Sequence, residues 1–201
     1  RRSGVTALLD RLSVTGDLAV EIAVPARFGD ALVRNLMVAG EQFGVTPYGT
    51  EALGVMRVEK GHVAGPELNG MTTAADLGLG KMMSTKKDFI GRVMAGREAL
   101  VAPDRQVVVG VKPVDKARRL RSGAHVIRKG QVPAPETDGG YVTSVCFSPM
   151  LDQWIGLGLV SHGRERIGEI AMAHDPLRGE DYEIELCHPV FYDPEGGRQR
   201  G

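Results

Sequence analysis

The stretch GYVTSVCFSPMLDQWIGLGLV, residues 140–160, decides the fold of the second half of the chain. It contains two runs rich in β-branched and aromatic residues, GYVTSVCF and WIGLGLV, separated by a short segment. Runs of this composition and length are typical of β-strands. The pair therefore predicts two neighbouring strands.

Outward from this pair, the same kind of run recurs on both sides. Turn-rich segments such as APETDGG and DPLRGED separate the runs, and no long helical pattern interrupts them. The additional strand candidates are QVVVGV, AHVI, IGEIAM and YEIELCH. We expect residues 103–201 to form a small antiparallel β-barrel or sandwich of at least five strands, beginning within a few residues of Pro103.

Helical periodicity is more prominent in residues 1–102. The alternating run DLAVEIAVP, residues 17–25, predicts a half-buried strand. Apolar residues at four-residue spacing then predict a helix from Ala26 to about Gly40. The mixture of strands and helices predicts an α+β chain with two domains, residues 1–102 and 103–201.

Two further helices are predicted from their start and stop signals. Thr50 is expected to cap a helix that runs to Lys60 and stops at Gly61, where a positive φ costs little. Thr85 and Asp88 are spaced as a capping box for a helix that continues through about Ala95. The first of these helices carries Glu59 in its last turn.

Composition excludes several classes of protein. The chain has 201 residues, 42% of them hydrophobic, and equal numbers of basic and acidic residues, 25 of each. This balance gives no reason to expect nucleic acid or a membrane surface as a partner. No apolar run approaches the ~20 residues that span a bilayer. We expect a cytoplasmic protein and, because the chain does not begin with Met, part of a longer polypeptide.

The motifs that reveal many enzymes are missing from the sequence. GLGK, residues 78–81, lacks the spacing of a phosphate-binding loop, and the glycines at 156, 158 and 163 lack dinucleotide spacing. Gly61 interrupts the helix that would align Glu59 with His62 as metal ligands, so we predict no metal site. Cys146 and Cys187 are interpreted as buried thiols.

Several motifs in the same order resemble a known family. They are YGTEALGVMRVEKGHVAGPELNGMTTAADLGLGKMMSTKKDFIGR, GYVTSVCFSPMLDQWIGLGLV and HPVFYD. Together they resemble the carboxy-terminal part of sarcosine oxidase alpha subunits. More broadly they are similar to the aminomethyltransferase (T-protein) family of the glycine cleavage system. The resemblance implies the later part of a tetrahydrofolate-binding domain followed by a β-barrel.

The resemblance also implies a folate site. The family's R-x-E-x-G segment falls on Arg57, Glu59 and Gly61, and in the family this Glu binds the pterin ring. A carboxylate can accept hydrogen bonds from the pterin N–H and the adjacent amino group together. The alternative is that Glu59 is a solvated residue in a surface turn. Candidates for meeting the anionic folate tail, besides Arg57, are Lys81, Lys86 and Arg92, each of which could instead belong to an ordinary charged face.

The function implied is capture of a one-carbon unit on tetrahydrofolate within an oxidase. The family's catalytic Asp has no counterpart here, so we predict no catalytic residue in this chain and no activity of the chain alone. FAD, FMN and NAD are expected only in the intact parent, and other subunits of a hetero-oligomeric oxidase are the expected partners. One alternative is a structural module without folate, in which Trp154 either anchors an interface or fills the barrel core. Another is part of a glycine-cleavage-type aminomethyltransferase.

Overall fold

A computed structural model describes residues 4–200 of the chain. Short helices and strands precede a run of longer strands, which confirms the α+β class. The elements are β1 (Leu8–Asp10), β2 (Glu21–Ala23), α1 (Gly29–Gly40), α2 (Thr50–Glu59), α3 (Arg92–Ala95), β3 (Gln106–Pro113), β4 (His125–Arg128), β5 (Asp138–Ser148), β6 (Gln153–Ser161), β7 (Ile170–Asp175), β8 (Glu180–Cys187) and α4 (Gly197–Arg200).

Strands β3 to β8 form a closed barrel in the order β3-β6-β5-β4-β7-β8. Every neighbouring pair is antiparallel. Closure leaves the barrel without a free edge, which removes the unpaired backbone groups that an open sheet would expose. The prediction of at least five antiparallel strands is confirmed, and all six sequence runs correspond to strands.

The barrel has apolar residues on both of its faces. Alternate residues of each strand point into the barrel. The interior is filled by these side chains, most of which are small or branched. Gly156 lies where an added Cβ would come within 2.6 Å of the Ser144 carbonyl oxygen, so it acts as a packing glycine. The interior cluster contains Val109, Val111, Leu120, Ala124, Val126, Val142, Val160, Ala171, Ala173, Tyr182, Ile184 and Leu186, with Val145 and Trp154 packed against it.

Helix α2 packs on the outer face of β5 and β6. Val58 is buried there against Cys146, Ile155 and Leu157. This second apolar cluster joins the first part of the chain to the barrel. It also places the last turn of α2 directly over β5, which determines the geometry of the candidate site.

The carboxyl end of α2 is a Schellman motif. The N–H of His62 donates to the Arg57 carbonyl at 2.8 Å, and the N–H of Gly61 donates to the Val58 carbonyl at 2.9 Å. Gly61 has φ +69°, and an added Cβ there would overlap the Pro189 carbonyl. The predicted stop at Gly61 is therefore confirmed. The predicted cap at Thr50 is wrong, because Thr50 is the first helical residue and its side chain makes no capping bond.

Two other elements predicted for the first half differ from the structure. Only Glu21–Ala23 of the run 17–25 forms a strand, and within the described residues it pairs only with the three residues of β1. The predicted helix from Thr85 is reduced to α3, because Gly91 has φ +91° and breaks the helical path. The Ser84 hydroxyl accepts hydrogen bonds from the N–H groups of Lys86 and Lys87, which favours a turn in this segment.

Helix α1 forms as predicted but none of its residues is buried. Val33 is 59% exposed and Val38 74% exposed. Within the described residues, its apolar stripe covers only a shallow cavity beside the β1–β2 hairpin, lined by Val24 and Phe28 among others. The stripe therefore adds little to the core of residues 4–200.

The two thiols differ in burial. Cys146 is buried, and burial raises the pKa of its thiol to about 12, with the nearby Glu59 carboxylate adding to the effect. Cys187 is half-buried, and desolvation raises the pKa of its thiol to about 11. Both thiols are protonated at neutral pH, which makes them weak nucleophiles.

Candidate functional site

Glu59 is a buried carboxylate at the end of α2. Its residue surface is only 3% exposed. The Ser148 hydroxyl donates to Oε1 of Glu59 at 2.5 Å and itself accepts from the N–H of Leu151 at 3.1 Å, so the hydroxyl is fixed in orientation. The alternative that Glu59 is a solvated residue in a surface turn is wrong, because β5 covers this turn of α2.

The second carboxylate oxygen of Glu59, Oε2, has no hydrogen-bond donor among the described residues. Among residues 4–200 the carboxylate receives only the hydrogen bond from Ser148, and Oε2 is not sealed from the neighbouring groove. No ion pair reaches Glu59 within that same range. Because Oε2 is open to the groove and has no donor within residues 4–200, it keeps a strong acceptor for a ligand, which makes it a candidate ligand contact.

The groove beside Glu59 has a volume of about 660 Å³. That size falls within the usual range of small-molecule sites. One wall is the face of α2 that presents Glu51, Val55 and Glu59 at four-residue spacing. The complete lining is Asp17, Gly49, Glu51, Ala52, Val55, Met56, Glu59, Pro149, Met150 and Tyr192.

Charge in the groove is one-sided. Three carboxylates line it, from Asp17, Glu51 and Glu59, and none of its lining residues is basic. Asp17 is paired with Arg198, whose Nε lies 2.8 Å from Oδ1 of Asp17. The groove therefore favours a ligand that presents hydrogen-bond donors and disfavours an anionic group.

Arg57 lies on the other side of α2, because residues two apart on a helix point in nearly opposite directions. Its guanidinium donates to Glu67 Oε2 at 3.0 Å and to the Ser144 hydroxyl at 2.7 Å. It also reaches the His62 carbonyl. Arg57 does not line the groove and instead ties α2 to strand β5.

Glu67 is the centre of this tie and was not singled out from the sequence. It is fully buried and accepts four hydrogen bonds, from Arg57, the Ala64 N–H, Thr143 and Ser144. The only local signal was its position three residues after Ala64, the spacing at which a carboxylate reaches back to a backbone N–H. We call Arg57, Glu67, Thr143 and Ser144 the Glu67 cluster.

A β-bulge in β5 makes the Glu67 cluster possible. Val142 pairs with Gly158 and Ser144 with Leu157, so Thr143 is the extra, unpaired residue. Consecutive residues of a regular strand point to opposite faces, but here both hydroxyls reach Oε1 of Glu67, at 2.5 and 2.6 Å. Strand β5 thus supplies Thr143 and Ser144 to one carboxylate and Ser148 to the other.

Lys81, Lys86 and Arg92 are not brought to the groove. All three are exposed, and none is among its lining residues. Arg92 pairs with Asp88 at 2.8 Å on the surface. Their assignment to the folate tail therefore stays a prediction without support from their placement.

The ion pair between Arg105 and Asp76 joins the two halves of the chain. Arg105 Nη2 lies 2.6 Å from Oδ2 of the buried Asp76, which also accepts from the Thr73 N–H. Burial alone would raise the pKa of Asp76, but the hydrogen bonds from Arg105 and Thr73 and the positive charge of Arg105 outweigh it and lower that pKa. Asp76 is therefore a charged structural residue at neutral pH.

Two family models match the chain. Residues 1–87 match the GCVT N-terminal domain, and residues 106–193 match the glycine cleavage T-protein C-terminal barrel domain. The second match coincides with the closed barrel. The chain belongs to the glycine cleavage T-protein family.

Sarcosine oxidase subunits and aminomethyltransferases are among the proteins similar to this chain. The sarcosine oxidase subunit alpha of Rhizobium meliloti (strain 1021) is 48% identical over 94% of this chain and 19% of its own length. The sarcosine oxidase subunit alpha of Corynebacterium sp. (strain P-1) is 40% identical over 99% of this chain and 21% of its own length. The aminomethyltransferase of Streptomyces coelicolor is 34% identical over 94% of this chain and 50% of its own length.

A solved structure has the same fold. The crystal structure of the glycine cleavage system aminomethyltransferase T from Bartonella henselae superposes with a TM-score of 0.72 and 25% identity, covering 92% of this chain and 49% of that one. The chain thus spans about a fifth to a half of the relatives that it matches. In the described part of the chain, no helix is long and apolar enough to cross a membrane.

Proposed function

We propose that this chain is the tetrahydrofolate-binding region of a sarcosine oxidase alpha subunit. In this proposal, amine oxidation at a flavin elsewhere in the protein releases a one-carbon unit. The region described here holds tetrahydrofolate so that the unit is captured as 5,10-methylenetetrahydrofolate. The sarcosine oxidase relatives support the oxidase context, and the T-protein family supports the use of folate.

One observation carries the proposal: Glu59 is buried and lines the groove, its Oε1 accepts from Ser148, and its Oε2 has no donor among residues 4–200. A pterin edge offers an N–H and an adjacent amino group that a carboxylate can accept together. Because the carboxylate is already oriented by Ser148, little further ordering is needed when the ligand binds.

The acidic lining of the groove limits how the folate lies. The donor edge of the pterin fits beside Glu59, whereas the anionic tail would be repelled if it ran along α2 toward Glu51. We therefore propose that the tail leaves the groove away from Glu51. Lys81, Lys86 and Arg92 stay candidates for meeting it outside the groove.

The role proposed for Glu59 is to position the pterin, which keeps the nitrogen that receives the one-carbon unit in place. We assign no catalytic residue to this region. FAD, FMN and NAD belong to the amine-oxidising part of the proposed parent, and other oxidase subunits are its proposed partners in the cytoplasm.

A tetrahydrofolate titration of the full-length protein tests the proposal. We expect wild type to bind and Glu59→Gln to bind roughly ten- to a hundred-fold more weakly, because one accepting oxygen becomes an amide donor that opposes the donors of the pterin. Glu51→Gln is the matched control, because Glu51 is an exposed carboxylate on the same face of α2. Its affinity should stay within about threefold of wild type or rise slightly as repulsion of the tail is relieved.

Two results would contradict the proposal. Wild type that does not bind tetrahydrofolate would favour a structural module of an oligomeric oxidase. Equal affinity of wild type and Glu59→Gln would mean that the carboxylate does not contact the pterin. Amine oxidation should be unchanged in Glu59→Gln, because the flavin site is separate in this proposal.

A further inference from the structure

Residues 188–200, which we call the C-terminal strap, cross back over the carboxyl end of α2 after the last barrel strand. The N–H groups of Phe191 and Tyr192 both donate to the Glu59 carbonyl at 2.9 Å. The strap is therefore attached to the same residue whose side chain faces the groove. The absence of a side chain at Gly61 leaves room for the strap's Pro189 carbonyl.

Two further ties hold the strap in place. The Lys60 ammonium donates to the Asp193 carbonyl at 2.8 Å and lies 3.5 Å from its carboxylate, and both side chains are largely buried. At the other end of the strap, Arg198 pairs with Asp17. Since Asp17 and Tyr192 both line the groove, these ties fix the wall that faces α2.

Tyr192 is the only aromatic residue that lines the groove among those the structure describes. The Arg198 guanidinium lies 5.3 Å from the centre of its ring, within cation–π distance. Arg198 lies over the ring but is not among the residues that line the groove, whereas Tyr192 itself lines it. The site thus combines a fixed carboxylate with a fixed aromatic surface.

We propose that Tyr192 is a positioning residue that contacts the flat face of the ligand whose donor edge meets Glu59. This inference rests on the proposed function and extends it. A carboxylate alone would accept many donors, including simple ammonium or guanidinium ions. The aromatic wall adds a preference for planar heterocycles, since stacked rings gain contact area and favourable quadrupole geometry.

The test uses the full-length protein and a tailless tetrahydropterin, which isolates recognition of the ring from that of the tail. We expect Tyr192→Leu to weaken binding about five- to tenfold and Tyr192→Phe to stay within about twofold of wild type. Tyr48→Leu, at an exposed tyrosine outside the groove, is the control and should bind as wild type does.

A fluorescence measurement separates contact from a structural effect. The Tyr192→Trp substitution places an indole at the wall, and its fluorescence is read as the difference between this variant and wild type in the same titration. We expect saturable quenching by the tetrahydropterin, at concentrations that match its measured Kd. This readout keeps the proposal testable if Tyr192→Leu fails to fold.

The inference is overturned if Tyr192→Leu binds the tetrahydropterin as wild type does, if Tyr192→Phe is weakened as much as Tyr192→Leu, or if the quenching is absent at saturation. Glu59→Gln in the same titration distinguishes failure of the proposed role of Tyr192 from failure of the proposed folate site. If Glu59→Gln binds more weakly but Tyr192→Leu does not, only the proposed role of Tyr192 is ruled out. No binding by wild type removes the proposed function itself.

Discussion

The Glu67 cluster and the groove beside Glu59 lie on opposite sides of α2. Each contains a buried carboxylate, but the two carboxylates differ in how many hydrogen bonds they accept. Glu67 accepts four hydrogen bonds, one of them from the Arg57 guanidinium. The Glu59 carboxylate accepts one hydrogen bond within residues 4–200, from Ser148. Both carboxylates are contacted by hydroxyls of the same strand, β5, so the contrast does not come from where they lie in the fold.

The contrast separates a structural site from a candidate binding site. A buried carboxylate whose oxygens are all satisfied has no capacity left for a ligand, and its partners lose a great deal if it is removed. A buried carboxylate with an open oxygen contributes less to stability and keeps a strong acceptor for a ligand. Changes at Glu67 should therefore affect folding, and changes at Glu59 should affect binding.

The largest expected effect on stability is that of Glu67→Ala. It leaves the Arg57 guanidinium, two hydroxyls and the Ala64 N–H without their acceptor. Removing one partner from a largely buried ion pair costs about 3 kcal/mol or more in unfolding free energy. Urea unfolding of wild type and variant measures this difference.

Glu165→Ala is the control for Glu67→Ala, because Glu165 has a 72% exposed side chain and makes only a surface contact with His162. Its unfolding free energy should stay within about 0.5 kcal/mol of wild type. A loss below about 1 kcal/mol in Glu67→Ala would show that the Glu67 cluster does not join α2 to the barrel as described.

An intermediate effect is expected for Ser148→Ala. The substitution removes the only donor to the Glu59 carboxylate in the described chain and leaves its Oε1 as a buried acceptor without a partner, which costs about 1–3 kcal/mol. Tetrahydrofolate affinity should also fall several-fold, because the carboxylate is no longer oriented. Calorimetric titration and urea unfolding of the same preparation check both expectations.

Ser144→Ala is the matched comparison for Ser148→Ala. Both hydroxyls lie on β5 and contact a buried carboxylate, but Ser144 contacts Glu67. Ser144→Ala should lose stability and keep its folate affinity. If the two variants lost affinity equally, the separation between the Glu67 cluster and the groove would be wrong.

The smallest effect is confined to acid pH and concerns the tie between Asp76 and Arg105. The folded-state pKa of Asp76 lies below its ordinary value of 3.8, so its charged form stabilises the fold above about pH 4. That contribution is lost as the pH falls through the folded pKa. The unfolding free energies of wild type and Asp76→Asn should therefore converge between pH 5 and about pH 2. A difference that stays constant over this range would contradict the assignment.

The barrel strands could be predicted from the sequence because each is a local run bounded by turn residues. Their order could not, since β3 pairs with β6 and β8, whose residues lie far along the chain. The helix predicted from Thr85 was wrong for a local reason, the positive φ of Gly91. The domain boundary near residue 103 stays a prediction, although the first barrel strand begins at Gln106.

The candidate site was only partly predictable. The end of α2 at Gly61 followed from glycine's freedom to adopt a positive φ, and the family resemblance drew attention to Glu59. The burial of Glu59 could not be foreseen, because its partner Ser148 is 89 positions away. Glu67 was missed for the same reason, since Thr143 and Ser144 reach it from 76 and 77 positions away.

Whether Glu59 is held open for a ligand is tested most directly by thermal or urea unfolding. Wild type and Glu59→Gln are each unfolded with and without tetrahydrofolate. At a ligand concentration about 100 times the wild-type Kd, ligand binding should stabilise wild type by about 2.7 kcal/mol. A ten- to hundred-fold weaker variant should gain only about 0.4–1.4 kcal/mol at the same concentration.

Without ligand, Glu59→Gln should be at least as stable as wild type. Its amide oxygen can still accept from Ser148, and the variant no longer buries a carboxylate that lacks an ion-pair partner among residues 4–200. We predict that Glu59→Gln has equal or higher stability without ligand together with a reduced gain from tetrahydrofolate. An undiminished gain, or a large loss of stability in the unliganded variant, would contradict the claim that Glu59 is held open for a ligand.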